Sequence, residues 1–143
     1  EPLALKQSPP NAYAAKFSIP YAIAAGLLQD NAGLGEYTEA MVQRADLRAL
    51  AAQVRYVVDP TNPYPKQFTG HLRVTLKNGS VMEARQGYFK GGADHPLSDA
   101  DLQTTFFANC LHGGLARPRA EAMLAMIQQI FDAPQVDLSL LGA

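Results

Sequence analysis

The sequence predicts an α+β domain: a small antiparallel sheet with a central hairpin, covered by helices on one face, in the order α-α-α-β-β-β-α-α. Three observations carry that expectation. Apolar residues recur at helical spacing through residues 12–50 and again through 98–131. Between these regions, Val54-Arg55-Tyr56-Val57-Val58 is β-branched and aromatic, and apolar residues alternate with polar ones around residue 78. Asn78-Gly79 itself is the clearest hairpin signal in the chain.

The 143 residues suit one domain, with 48% apolar and 17% charged residues marking it as globular. A formal net charge of -1 gives no reason to expect nucleic acid or an anionic membrane as partner. The longest apolar run, Ile19–Leu28, contains Pro20 and Gly26 and is too short to span a bilayer. No stretch reads as a signal peptide. A single cysteine, Cys110, excludes an internal disulfide, and a cytoplasmic setting is expected. The first residue is not Met, which suggests a piece of a longer chain.

Taken in order, residues 1–11 are expected to be extended, because Pro2, Pro9 and Pro10 oppose a helix. Asn11 can cap a short helix from Ala12 to Phe17. Pro20 then suits the first turn of the next helix, which should begin at Ile19 or Pro20 and run to about Gln29. Asp30, Asn31, Gly33 and Gly35 mark the turn after it. A short helix from Glu36 to about Arg44 should turn Tyr37, Ala40 and Met41 inward, and Asp46 should cap a third with Leu47 and Leu50 buried. Val54–Val58 is expected as a strand, stopped by Asp59-Pro60, and the prolines from Pro60 to Pro65 belong to a loop.

The hairpin register follows from its faces. A two-residue turn would set Val74 against Glu83 and Leu72 against Arg85. A three-residue loop of Lys77, Asn78 and Gly79, with Gly79 left-handed, pairs Val74 with Met82, Leu72 with Ala84, and Arg73 with Glu83. The three-residue loop is therefore expected. Ser98 and Asp101 form a capping-box-like start to a helix ended by Gly113-Gly114. Pro118 opens a last helix with Met123, Ile127, Ile130 and Phe131 inward, stopped by Ala133-Pro134. The apolar tail, Val136 to Leu141, is expected to pack back or form a short strand.

Few residues point to chemistry. His71, His95 and His112 lack metal-ligand spacing, and Cys110 completes no zinc set, so no metal is expected. Gly87-Tyr88-Phe89-Lys90-Gly91-Gly92 lacks the Gly-Lys-Ser/Thr of a phosphate loop and reads as a flexible connection. No nucleophile elbow or paired carboxylates occur, so no complete active site is present. The exception is Ala15-Lys16-Phe17-Ser18-Ile19-Pro20-Tyr21-Ala22-Ile23-Ala24, which brings an ammonium, a hydroxyl and a phenol to a helix N-terminus. Tyr21 is either a core aromatic with its hydroxyl satisfied or a group facing an anion beside first-turn N–H donors.

Three stretches together resemble the 2-methylcitrate dehydratase (MmgE/PrpD) family, which also includes cis-aconitate decarboxylase and iminodisuccinate epimerase. Residues 15–24 are close to its "AKFSLPYAVA" segment. Residues 70–79, Gly-His-Leu-Arg-Val-Thr-Leu-Lys-Asn-Gly, are like its "G-x-V-x-V-x-L-x-D-G" strand and turn. His95-Pro96-Leu97-Ser98-Asp99-Ala100-Asp101-Leu102 through Phe106 is similar to "NPLSxxELxxKF", departing at His95, where Asn is common, and Thr105, where Lys is common.

The resemblance implies the C-terminal lid part of a two-domain lyase without cofactor, inactive alone and acting on a small di- or tricarboxylate such as 2-methylcitrate. The other catalytic residues would come from a helical domain absent from this chain. Tyr21 matches the family tyrosine that faces the substrate, and Lys16 and Ser18 match neighbouring motif positions as substrate-binding support. The implied partners are the polycarboxylate, the missing helical domain and, since the family is commonly dimeric, a second copy. Two other readings stand beside the dehydratase: an epimerase or decarboxylase of the same family, and a free-standing binding module that reuses the lid fold.

Overall fold

The computed structural model describes residues 2–135 and Ser139. Among them are seven α-helices and one two-stranded antiparallel sheet, an α+β arrangement. The expected fate of the tail, Val136 to Leu141, lies outside the described residues except for Ser139. None of the described helices is long and apolar enough to cross a membrane. The chain divides into two compact units, Glu1–Val57 with Thr104–Ala143, and Val58–Gln103.

The first unit begins with a helix where extended chain was expected: α1 spans Leu3–Gln7. Pro2 precedes it, where its carbonyl accepts the Leu5 N–H (3.1 Å), and Pro9 follows it, so neither proline interrupts a helical hydrogen bond. Asn11 caps α2 (Ala12–Ala15) by accepting the Ala14 N–H at 2.8 Å. Ser18 caps α3 (Ile19–Gln29), with Pro20 in the first turn and Asp30 left-handed (φ 54°) at the end. After a 3-10 turn at Leu34–Glu36, α4 (Glu39–Val42) is shorter than expected because Thr38 caps it at the Met41 N–H. That start buries Val42 and leaves Ala40 exposed. Arg44 holds the N-cap position of α5 (Ala45–Ala51), so Asp46 sits in the first turn instead of capping, paired to Arg44 at 2.5 Å.

The core of this unit joins Ala15, Tyr21, Ala24, Ala25, Val42, Leu47 and Ala51, with Ala12, Tyr37, Met41 and Leu50 against it. The small residues bring α3 close to α5. The Gln7 carboxamide ties α1 to the chain after α5, donating to the carbonyls of Ala52 (2.9 Å) and Val54 (2.7 Å). The expected strand over Val54–Val58 does not form. Val57 and Val58 are 89% and 90% exposed, and β propensity stabilises a strand only where a ladder and a packed face exist.

In the second unit, β1 (Gly70–Thr75) and β2 (Val81–Gln86) pair in the expected register, with Leu72 opposite Ala84, Arg73 opposite Glu83 and Val74 opposite Met82. Gly79 is left-handed (φ 84°), and the Leu76 N–H donates to the Ser80 carbonyl at 2.8 Å to close the three-residue loop. One face gathers His71, Arg73, Glu83 and Arg85, where Glu83 accepts from Arg73 at 3.1 Å. On its apolar face Leu72 and Val74 are half-buried, and Met82 is 62% exposed. Phe68 packs edge-on to both Tyr64 and Phe89.

The next helix, α6 (Asp99–His112), starts on a reciprocal capping box. The Ser98 N–H and hydroxyl donate to Asp101, and the Asp101 N–H donates back to Ser98 Oγ at 3.1 Å. It ends in a Schellman motif, in which Leu115 N–H reaches the Cys110 carbonyl (2.8 Å) and Gly114 takes φ 81°. In α7 (Arg117–Gln128), Ala120 is buried and Met123 half-buried. Against expectation Ile127 is exposed in the last turn of α7, and Ile130 and Phe131 (98% exposed) lie beyond Gln128, where the helix stops and its phase no longer applies.

Candidate functional site

The residues expected to act together separate into a buried pair and an exposed cation. Ser18 lies in extended backbone just before α3, and its Oγ accepts the Tyr21 N–H at 3.0 Å while donating to the Lys6 carbonyl. Both capacities of the hydroxyl are therefore used in joining α1 to α3. Tyr21 is fully buried, its ring 5.5 Å from that of Tyr37, and its hydroxyl donates to the Glu36 carbonyl at 2.5 Å. Burial, then the neighbouring Tyr37 and Glu36, push the Tyr21 phenol above its usual range, with Arg44 opposing, so it stays neutral near pH 7.

This geometry changes the expectation for an anion at the start of α3. Tyr21 directs its N–H to Ser18 and its phenol hydrogen to Glu36. Pro20 has no N–H, and Ala22 donates to the Ser18 carbonyl at 2.9 Å. The first turn is satisfied from within almost completely.

Lys16, at the C-cap of α2, is exposed, and its ammonium has no partner among the described residues. It lines an open depression of about 430 Å³ with Tyr37, Asn109, Ala32, Gly33 and Leu34. Burial, then Glu36, push the Tyr37 phenol up as well. A second hollow of about 270 Å³ shares Gly33, Leu34 and Asn109 with the first and adds Thr105 and His112. Sequence reasoning turned Tyr37 inward as a packing residue and gave Asn109 no chemical role. No spacing signal could have joined them to Lys16, because separate elements contribute them.

Two other candidates belong to the second unit. His71 lies 2.7 Å from Glu83 on the hairpin, and His95 closes a turn in which its carbonyl accepts the Gly91 N–H. Among the described residues no three His, Cys, Asp or Glu side chains are grouped to hold a metal ion.

Residues 3–131 match the model of the MmgE/PrpD C-terminal domain. Cis-aconitate decarboxylase of Mus musculus is 29% identical over 126 residues, covering 87% of this chain and 25% of that protein. Cis-aconitate decarboxylase of Homo sapiens is 27% identical over 125 residues, covering 87% of this chain and 26% of that protein. The chain spans about a quarter of the length of these curated relatives.

Proposed function

The chain belongs to the MmgE/PrpD family, as its C-terminal domain, and on that premise we propose that it serves a lyase acting on a small di- or tricarboxylate and is inactive alone. The observation that carries this reading is the match over residues 3–131, and two relatives bear names that specify a tricarboxylate. Dehydration of a substrate of the 2-methylcitrate kind is the first reaction, and the relatives' names favour decarboxylation as the second. Both place an electron pair on a carbon close to a carboxylate, so both gain from neutral donors and fixed cations around the substrate.

In this reading Lys16 binds a substrate carboxylate. Tyr21 is the reacting phenol, exchanging the Glu36 carbonyl for a substrate oxygen when the site closes. Ser18 is a positioning residue, holding the Tyr21 backbone through its N–H. The remaining catalytic groups come from the helical domain of the longer polypeptide.

The test is Tyr21→Phe in that longer polypeptide, assayed with 2-methylcitrate and cis-aconitate. A reacting phenol predicts that kcat falls by roughly 100-fold or more, with KM changed little. Unchanged kcat with a lowered melting temperature would leave Tyr21 a structural anchor and overturn its catalytic role. Absence of turnover on any di- or tricarboxylate by the unsubstituted polypeptide would overturn the lyase reading itself.

A further inference from the structure

We propose that the depression between Lys16, Tyr37 and Asn109 is a carboxylate-binding site of this domain in its own right, taking one carboxylate of a small polycarboxylate. The three residues come from the end of α2, the end of the 3-10 turn, and α6, and they line one open hollow of about 430 Å³.

The polar groups there are chemically matched. An ammonium, a phenol and a carboxamide all have N–H or O–H bonds to donate, and none of the three has a hydrogen-bond partner among the described residues. The surrounding groups are already satisfied. The Ala32 N–H donates to Asn31 Oδ1 at 2.9 Å, and the Gly33 N–H to Glu36 Oε2 at 2.9 Å. Glu39 accepts the Ala12 N–H at 3.1 Å. The nearby acids thus bind backbone donors, and among the described residues no carboxylate pairs with the Lys16 ammonium. Tyr37 is held in place from beneath by its contact with the buried Tyr21 ring. A charge-assisted bond from Lys16, flanked by two neutral donors, suits the two oxygens of a carboxylate.

The choice of a carboxylate over another oxyanion rests on the polycarboxylate reading above, but the site is tested by binding without turnover. The 143-residue chain, labelled with ¹⁵N, is titrated at pH 7 and low salt with citrate, with inorganic phosphate and with the uncharged triethyl ester of citrate. Citrate is expected to shift the amide signals of Gly33 and Leu34 and the Asn109 carboxamide to saturation, and the ester is not. Lys16→Gln should weaken citrate about 10-fold, Asn109→Ala by about 3-fold, and Lys16→Arg should retain most of the affinity.

Shifts that are absent, or that Lys16→Gln leaves unchanged, would overturn the site. Equal shifts with phosphate would overturn the carboxylate assignment and leave a general anion site. Because the Tyr21→Phe assay reads turnover and this titration reads binding, either can fail while the other stands.

Discussion

Tyr21, Leu47, Val42 and Pro20 lie fully out of solvent in the helical unit, whereas none of the residues 58–103 is buried. The helical unit is held by close packing of α3 on α5 around small residues. The other unit is held by directional bonds: the hairpin ladder, edge-on aromatic contacts and the capping box with its Lys90–Asp101 ion pair at 2.6 Å. Apolar burial is lost in large steps when a core side chain shrinks, while exposed polar contacts are lost in small steps and respond to solvent conditions. Two regions of one chain should therefore fail under different challenges.

The largest effect should follow Leu47→Ala, which empties part of the core and costs about 2–5 kcal/mol. Amide exchange should speed up across α3 and α5 and stay unchanged in the hairpin; equal loss in the hairpin would erase the contrast between the units. Next comes Tyr21→Phe, which leaves the Glu36 carbonyl without its donor at a cost of about 1–3 kcal/mol, read as a lowered melting temperature. Gly79→Ala forces a side chain into the left-handed region and should cost about 1–2 kcal/mol, visible as weakened cross-strand contacts between Val74 and Met82. Ser98→Ala removes half of the capping box for about 1 kcal/mol, and its exchange signature should stay in the first turn of α6.

The mildest probe is pH, and it should separate the units from opposite ends. Lys90, then Ser98, hold the Asp101 carboxyl down at about 2, and His71 and Arg73 hold Glu83 below its usual range. A depressed carboxylate stabilises the fold above its unfolded pKa and loses that contribution as acid approaches the folded value. Residues 58–103 should therefore loosen between about pH 4 and pH 2. Tyr21 and Tyr37 have raised pKa values, so their contribution is complete below pH 10 and declines as alkali ionises them. Exchange rates measured at both extremes should show acid acting most on residues 58–103, which hold the depressed Asp59, Glu83 and Asp101 while the helical unit holds Asp46, and alkali acting most on the helical unit.

The parts of the fold legible in the sequence were those decided locally. The hairpin register follows from which residues share a face, and the Asn11 and Ser98 caps from side chains a few residues from their donors. Readings that depended on distant contacts differed. Val54–Val58 has strand composition, but the Val54 carbonyl bonds to Gln7 and the run has no ladder. Helical spacing pointed Ile130 and Phe131 inward, but the helix ends before them. The site divided in the same way. Tyr21 and Ser18 were singled out within one contiguous motif, whereas Tyr37 and Asn109 join Lys16 only through folding.

The Ser18 hydroxyl has a practical consequence for anyone handling this domain. Its single hydrogen goes to the Lys6 carbonyl and its lone pair receives the Tyr21 N–H. Cleavage of the backbone after Gln7, or a rigid insertion that pulls α1 away, therefore removes one end of a two-bond chain whose other end is the backbone of Tyr21. Expression boundaries placed after Gln7 would also delete the carboxamide that secures the chain beyond α5. The leading segment is best treated as a clasp, and fusions belong at a site that leaves it closed.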